Sequence, residues 1–429
     1  MRVHFIQQDD WVGPGEFLRW AERNRCEVSW TRCWLREALP RAAEADLLVV
    51  LGGHQCPATT PAECDYFDAA GERALIRRYV EAGRAVVGVC LGAQLVGEAL
   101  GAPYEHSPER EIGPVRARLT AEGRADPFLK AFPDAFDAGE WHNDMPGLNG
   151  EAAILAESDG CPRQIVRYGR YVYGFQTHME FTREIIAAGI ADAGGEIRER
   201  GRFIQTADAL LAFDYSGMNR LLSAFLDAMM ADYGARRLER QLAFALEIDK
   251  QKNVLRQTHL SGHGRRENDA EHAWHMAVMA YLLREYANER VDIARVVLMC
   301  LIHDLVEIDA GDTYAYDAEG LKTQKAREAA AKARIFSLLP RDQGAELAAL
   351  FDEFEAYETA ESKFAHAMDN LQPLLLNDSN GGADWVAHGV TAGTVYGRQA
   401  KTRLGSEKLF EVTDRILREH IRRGSLPEE

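Results

Sequence analysis

Over the first 180 residues, hydrophobic positions fall into short runs separated by amphipathic stretches. Val3–Ile6, Val28–Trp30, Leu47–Leu51 and Ala85–Val89 are β-branched or aliphatic runs of strand length. Between them, Glu16–Asn24 and Glu72–Glu81 repeat apolar residues at helical spacing. This alternation predicts βαβ units and a mostly parallel sheet with helices on both faces. A second strand cluster follows at Val115–Leu119 and Ala153–Ala156, then a hairpin of Gln164–Tyr168 and Tyr171–Gln176 turning at Gly169. Beyond about residue 183 the period changes and strands nearly vanish. Met218–Met230, Arg237–Ile248, Ala273–Tyr286, Ile293–Val306 and Ala345–Glu355 read as helices. The pattern predicts an α/β domain over 1–233 and an all-α domain over 234–429, divided between two helices near Tyr233-Gly234.

One segment of the first half places a thiol on a sharp turn. Ala85-Val-Val-Gly-Val-Cys90-Leu-Gly-Ala-Gln94 is an apolar strand that enters a helix through a cysteine, with Gly88 and Gly92 two residues to either side. Such a turn leaves no room for side chains at the flanking positions. It sets the thiol at a helix N-terminus, where backbone N–H groups and the macrodipole favour thiolate. A nucleophilic thiol also needs a base and a group to orient it. Gly174-Phe-Gln-Thr-His178-Met-Glu180 offers both, because residues i and i+2 of an extended segment face the same side. Leu51-Gly52-Gly53 ends a third strand, with backbone N–H groups to present to an oxyanion. Singly, a cysteine after an apolar strand is more often a small buried hydrophobe; three such elements at strand ends favour the chemical reading.

At these residues the chain resembles the class I glutamine amidotransferase domain. The shared pattern is G-V-C-L-G-A-Q (88–94), G-G (52–53), E-I-G (111–113), W-H-N-D (141–144) and G-F-Q-T-H-M-E (174–180), spread over roughly residues 1–230. The resemblance implies a flavodoxin-like sandwich with Cys90 as nucleophile, His178 as base and Glu180 as the carboxylate that orients it. It further implies an oxyanion hole from the backbone around Gly53 and Leu91, with Gln94 near the bound amide of glutamine or another γ-glutamyl amide. Two departures stand out: Met179 follows His178 where many members carry proline, and His54-Gln55-Cys56 follows the glycine pair.

The second half places charge inside apolar helices. Glu267-Asn-Asp-Ala-Glu-His272 opens a helix with Asp269 as a candidate N-cap, and His272, Met276, Met279 and Leu283 share one face. Ile293–Val306 is apolar nearly all round, yet His303-Asp304 stands at its end. Burying that pair without partners is costly, whereas coordinating a cation satisfies both. Asp369 lies between Met368 and Leu371 on a third helix. Histidine, His-Asp and aspartate from three helices form a mixed N/O ligand set.

This ordered H…HD…D spacing resembles the HD-domain phosphohydrolases over roughly 240–425, nearest to the branch of 5′-deoxynucleotidase-like enzymes. E-N-D-A-E-H (267–272), L-I-H-D-L-V-E-I-D-A-G-D (301–312) and K-F-A-H-A-M-D (363–369) carry the likeness. It implies His272, His303, Asp304 and Asp369 as ligands of one divalent ion: Mn, Fe, Co, Ni or Zn. It implies Glu307 as the group that orients or deprotonates water, Asp312 at the leaving group or substrate hydroxyl, and Arg256 on the phosphate. Arg265 and Arg266 are alternatives to Arg256, and His366 reads as a packing residue. A homodimer is the expectation from this branch.

Composition narrows the partners. The 429 residues carry 50 Lys and Arg against 67 Asp and Glu, a net charge of −17, which disfavours gripping duplex nucleic acid or anionic lipid. With 46% apolar and 27% charged residues, disorder is disfavoured too. No apolar stretch approaches the ~20 residues of a membrane span. Seven scattered cysteines without a CxxC pair, and an N-terminus without a signal-peptide pattern, predict reduced thiols and a cytoplasmic setting. The expected function is a bifunctional hydrolase: a Cys-His-Glu amidase or amidotransferase joined to a metal-dependent phosphohydrolase of nucleotide-like monoesters. The alternative is that one module is a non-catalytic sensor, or delivers ammonia to a separate partner.

Overall fold

Strand-length apolar runs at the start of the chain build one sheet. The computed structural model describes residues 1–193, 195–198, 201–314 and 318–428, and the chain divides into two units, Met1–Arg237 and Leu238–Glu429. In the first unit β1 (Arg2–Gln7), β2 (Glu27–Arg32), β3 (Leu47–Val50) and β4 (Ala85–Val89) are linked through α1 (Glu16–Arg23) and α2 (Ala69–Glu81). Next come α3 (Leu91–Ala99), β5 (Glu105–Leu119), α4 (Ala121–Ala125), β6 (Ala135–Met145), β7 (Ala153–Glu157), β8 (Ile165–Gly169) and β9 (Val172–Phe175). The remaining elements are α5 (Arg183–Ala193), the short β10 (Phe203–Ile204), α6 (Ala207–Ala212) and α7 (Ser216–Glu247).

The strand order is β10-β5-β7-β8-β9-β4-β3-β1-β2, with β6 also paired to β5. From β9 to β2 all neighbours are parallel, and β8–β9, β7–β8, β5–β7 and β5–β6 are antiparallel. Period-two alternation sends Leu47 and Val49 into a core with Trp20, Phe175 and Phe225, and Leu48 and Val50 into another with Ile76, Tyr79 and Leu95. Both faces are therefore covered by helices. The register pairs Val50 with Gly88 and Gly88 with Gly174. The carboxyl ends of β3, β4 and β9 thus reach one edge, the place where parallel α/β sheets gather functional groups.

Sequence pattern and structure differ at Gly234, which sits inside the single helix α7 and not between two helices. An interior glycine costs about 1 kcal/mol, too little to break a helix whose preceding turns bury Phe225, Met229 and Tyr233 in the core.

The second unit begins with β11 (Leu255–His259) and β12 (Arg266–Asn268), an antiparallel pair that adds a short ladder to an otherwise helical region. It continues as α8 (Asp269–Leu283), α9 (Ile293–Ile302), a 3₁₀ turn over His303–Val306, α10 (Glu307–Ala310), α11 (Ala318–Ser337) and α12 (Arg341–Ala356). It closes with α13 (Ala360–Ser379), α14 (Ala383–Ala387), α15 (Ala392–Gly405) and α16 (Glu407–Arg423). Helix α13 packs on α8, α9, α12, α15 and α16 and buries Phe364, Met368 and Leu371 among Met276, Met299 and Leu417. The N-cap of α8 is Asn268, not Asp269: Asn268 and Glu271 form a reciprocal capping box. Asp269 is thereby freed to turn inward. No helix among the described residues is long and apolar enough to cross a membrane.

A β-carbon at Gly92 would lie 2.0 Å from the Val50 carbonyl oxygen, whereas one at Gly234 would meet nothing within 4 Å. Gly92→Ala is expected to destabilise the first unit by about 2–3 kcal/mol, and Gly234→Ala to stabilise it by about 1 kcal/mol. Denaturant midpoints of the two variants check both signs.

Candidate active sites

The first site stands on the elbow between β4 and α3. Cys90 holds φ 52°, a conformation that side-chain-bearing residues rarely adopt, at the N-cap of α3. Its backbone N–H donates to the Phe175 carbonyl at 2.7 Å, which ties the elbow to β9. Gly88 and Gly92 are needed because a β-carbon at Gly88 would lie 2.2 Å from the Gly92 carbonyl oxygen. The His178 N–H donates to the Gly139 carbonyl at 2.7 Å, and its ring stacks on Phe181 with centroids 4.0 Å apart. His178 Nδ1 lies 2.6 Å from Glu180 Oε1, and the other side of the ring is in hydrogen-bonding contact with Cys90. The structure therefore brings together the three side chains at 90, 178 and 180. Burial opposes the imidazolium, but the charges of Glu180 and Cys90 outweigh it and raise His178 to about 10.

Gly52 lets these groups close up: a β-carbon there would be 3.2 Å from His178 Cε1 and 3.3 Å from Cys90 Cβ. Gly53 follows in the same loop, packed against Gln8, Asp9 and Gln55, and Leu91 opens α3 beside the thiol. Gln94 is buried and donates from Nε2 to Gln176 Oε1 at 3.1 Å. The Asp9 carboxylate anchors the loop by accepting from the His54 backbone N–H at 3.2 Å and the Tyr66 hydroxyl at 2.7 Å. Beneath the site His142 lies between Glu111 at 3.2 Å and Glu140 at 3.1 Å. Burial works against its charge, yet the two carboxylates raise it to about 9, so the imidazolium is the form this pocket favours. Cys161 is fully buried with its thiol pushed up to about 12 by burial, and Cys56 contacts Thr59 and Tyr104; both read as structural.

The second site gathers on α8, the turn after α9, and α13. His272 Nε2 lies 3.2 Å from Asp369 Oδ1 and 3.9 Å from Asp304 Oδ2. His303 Nε2 lies 3.0 Å from Asp304 Oδ1 and 4.0 Å from Asp369 Oδ1. The remaining ring nitrogens are fixed from outside: His272 Nδ1 by Gln372 Oε1 at 2.8 Å and His303 Nδ1 by the Cys300 carbonyl at 2.9 Å. With Nδ1–H donating outward, both Nε2 lone pairs face the same space. His303 Nε2 is buried and makes no directed hydrogen bond despite its 3.0 Å approach to Asp304. Burial, then Arg256, lowers His272 to about 4, so its ring is the neutral donor that coordination requires. At His303 burial opposes charge, but Asp304 and Asp369 raise the ring to about 9: the pocket favours a cation at that nitrogen. His272, His303 and Asp369 each bring one donor atom within 4.8 Å of the others, and Asp269, Asp304 and Glu307 form an adjoining group of the same kind. The chemistry and spacing of these donors fit a divalent transition metal.

Arg256 Nη1 lies 2.9 Å from Asp304 Oδ2 and 3.5 Å from Asp269 Oδ1. Burial opposes its charge, and Asp304, Asp312 and Glu307 more than restore it. Glu307 is held above the ordinary carboxylate range by burial and by Asp304 and Asp269, and its Oε2 has no hydrogen-bond partner. Asp312 is raised as well, mainly by burial. Arg256, Asp304, Glu307, Asp312 and Asp369 line one cavity of about 370 Å³. Arg265 instead pairs with Glu271 on the surface. His366 stacks on Phe354 at 3.9 Å and binds its carbonyl at 2.9 Å, a packing role. Four participants escaped the sequence reading. Gln372 is one helical turn beyond Asp369, a recoverable signal; Glu267 and Asp269 were hidden by the cap assignment. Arg398, 3.6 Å from Asp369, sits on a polar-looking helix without any mark in the sequence.

The fold and these two clusters define a two-module protein, one α/β unit with a thiol-imidazole-carboxylate site and one helical unit of HD type. Residues 19–188 match the profile of class-I glutamine amidotransferases, and residues 248–410 that of an HD domain. The glutamine amidotransferase-like protein YfeJ of Salmonella typhimurium is 48% identical over 232 residues, 53% of this chain and 97% of that protein. The crystal structure of SMU.1228c is 44% identical at a TM-score of 0.52, over 54% of this chain and all of that one. The 5′-deoxynucleotidase HDDC2 of Homo sapiens is 30% identical over 155 residues, 36% of this chain and 73% of that protein. The chain belongs to the class-I glutamine amidotransferase family through its N-terminal unit and to the HD-domain family through its C-terminal unit.

Gln372 accepts from His272 and donates from Nε2 to Glu267 Oε1 at 2.6 Å. Gln372→Leu removes the acceptor that sets the His272 tautomer, and a roughly 10–100-fold loss of Mn²⁺ affinity is expected. Calorimetric titration measures it, with unchanged helical circular dichroism as the control.

Proposed function

We propose that the chain is a bifunctional hydrolase, with a cysteine amidase of glutaminase type at residues 1–233 and a metal-dependent phosphomonoesterase at residues 234–429. The observation that carries the second activity is the orphaned Nε2 of His303 facing the hydrogen-bonded His272–Asp369 pair, where three donor atoms converge. The first rests on the Cys90–His178–Glu180 contact chain.

At the first site the Cys90 sulfur attacks the γ-carboxamide carbon of glutamine or a related γ-glutamyl amide. His178 takes the thiol proton and passes it to departing ammonia, while Glu180 holds the ring and balances its charge. Backbone N–H groups of Gly53 and Leu91 receive the oxyanion, and Gln94 supports the amide subsite. Water then hydrolyses the γ-glutamyl thioester, with His178 as base.

At the second site His272, His303, Asp304 and Asp369 hold one divalent ion, of Mn, Fe, Co, Ni or Zn type. Bound there, the ion supplies Lewis acidity and a water of lowered pKa. Arg256 exchanges its Asp304 contact for a phosphate oxygen. Glu307, with Oε2 free of hydrogen bonds, would serve as base once the charge of a bound ion had lowered its carboxyl, accepting the proton of the attacking water. Asp312, raised by burial, is the acid that protonates the leaving alkoxide. A cavity of about 370 Å³ suits a small ligand of nucleoside monophosphate size, and the likeness to HDDC2 supports a 5′-deoxynucleotide as the monoester.

Cys90→Ala is expected to lower ammonia release from glutamine by at least ~10³-fold. Ammonia release by the unmodified chain alone separates an autonomous amidase from a subunit that works only with a partner; none at all would favour the latter. For the second site, EDTA treatment is expected to abolish phosphate release from a panel of deoxynucleoside monophosphates, with recovery on adding one of Mn²⁺, Co²⁺, Ni²⁺ or Zn²⁺. Asp369→Asn is expected to resist that recovery. A chain that no metal revives would refute the catalytic-ion reading.

A further inference from the structure

A second group of metal-type donors lies outside the HD ligand set, on the β11–β12 hairpin and the start of α14. His259 ends β11, His263 lies in the connecting loop, and Asp384 is in the first turn of α14. The Asp384 carboxylate accepts from the His259 backbone N–H at Oδ2, 3.0 Å, and its Oδ1 lies 2.6 Å from His259 Nδ1. The His263 ring packs against the His259 ring, with centroids 4.6 Å apart and planes inclined by 30°. One donor atom from each of the three residues falls within 4.8 Å of the other two.

The surroundings hold this triangle in place. Asn380, at the end of α13, accepts from the His263 backbone N–H at 2.6 Å and donates to the carbonyls of His259 and Leu260 at 3.2 and 3.1 Å. One side chain thus clamps both ends of the loop. The backbone of His263 is left-handed, φ 57°, which brings its exposed ring back over His259. Asp384 is buried and His259 half-buried, so an ion held there keeps coordination positions open to solvent on the His263 side.

We infer that His259, His263 and Asp384 form a second metal site, separate from the HD cluster, for a borderline divalent transition ion of the Zn²⁺ class. Two imidazoles and one carboxylate make a three-ligand set of the kind that leaves a fourth position for water or another ligand. The nitrogen-rich donors select zinc, cobalt, nickel or copper over magnesium or calcium, which take oxygen donors. An ion taking both atoms would replace the contact between His259 Nδ1 and Asp384 Oδ1, while the backbone contact to Oδ2 keeps the carboxylate aimed. Asp384 also lines the cavity that holds Asp304 and Asp369, so an ion here stands at a wall of that cavity.

The test is metal stoichiometry on the full-length chain, independent of any activity. Unmodified protein and His263→Ala are loaded with Co²⁺, dialysed, assayed for bound metal per chain and titrated while the visible absorption of the Co²⁺ complex is recorded. His263 is exposed, so its removal leaves the packing intact; matching circular dichroism confirms this. The expected result is one fewer equivalent of Co²⁺ in His263→Ala, or at least a tenfold weaker binding of that equivalent, with Zn²⁺ displacing the absorption in the unmodified chain. Identical stoichiometry and identical isotherms in the two proteins overturn the site. His272→Ala, measured in parallel, reports on the HD cluster alone, so failure of one site is distinguishable from failure of the other.

Discussion

Ionisable side chains taken out of water need partners, and that constraint shapes both sites. A buried carboxylate or imidazole without compensation costs several kcal/mol or changes its protonation. In the first unit most of the compensation is internal, by ion pairs. Glu180 faces His178, Glu111 and Glu140 flank His142, and Arg84 reaches Asp46 at 2.8 Å. Glu72 is the exception: buried with the Gln8 amide as its hydrogen-bond partner, it is raised to about 8, chiefly by burial. The strained elbow is stable because the strands on either side of it are fully buried and the two glycines admit the backbone contacts.

The second unit does not balance itself in this way. Arg256 faces Asp304, Asp312, Glu307 and Asp369 together, and Glu267 and Asp269 lie on its other side. Arg256, Arg398 near Asp369 and the His303 ring together face six carboxylates. Burial, reinforced by the charge of Asp304, raises the carboxyl groups of Glu267, Asp269, Glu307 and Asp312, and the pocket would hold His303 cationic. A divalent ion held by these residues would offset this charge, lowering the neighbouring carboxyls and taking the place of a proton on His303. This crowding of carboxylates about one guanidinium is the physical reason to look for a cation in the second unit.

Much of this was legible in the sequence because it depends on short-range pattern. The Gly-x-Cys-x-Gly turn, the His178-x-Glu180 spacing and the His303-Asp304 pair at the end of an apolar helix each carry their meaning within a few residues. Period-two and helical spacing likewise separated the sheet from the helices. What escaped depends on long-range contact. Arg398 meets Asp369 only because α15 packs on α13, and nothing in its own neighbourhood marks it. Asp269 was assigned to the cap of α8, a position that Asn268 takes through its exchange with Glu271. The break near Gly234 failed for a related reason: local propensity is a weak force beside the packing of Phe225, Met229 and Tyr233 along one helix.

The two reactions proposed for the units would draw on separate residues. Every group of the thiol site lies within Met1–Arg237 and every group of the helical site within Leu238–Glu429. An amide is opened by a nucleophile that the chain itself provides, so the first unit needs only a base and donors for the oxyanion. A phosphomonoester carries negative charge that repels a nucleophile, so the second unit needs positive charge more than it needs a covalent partner. Neither reaction consumes the product of the other: phosphate release uses water and no ammonia, and amide hydrolysis uses no phosphate. On the proposed reading, any benefit of joining them acts through shared regulation or shared location of substrates.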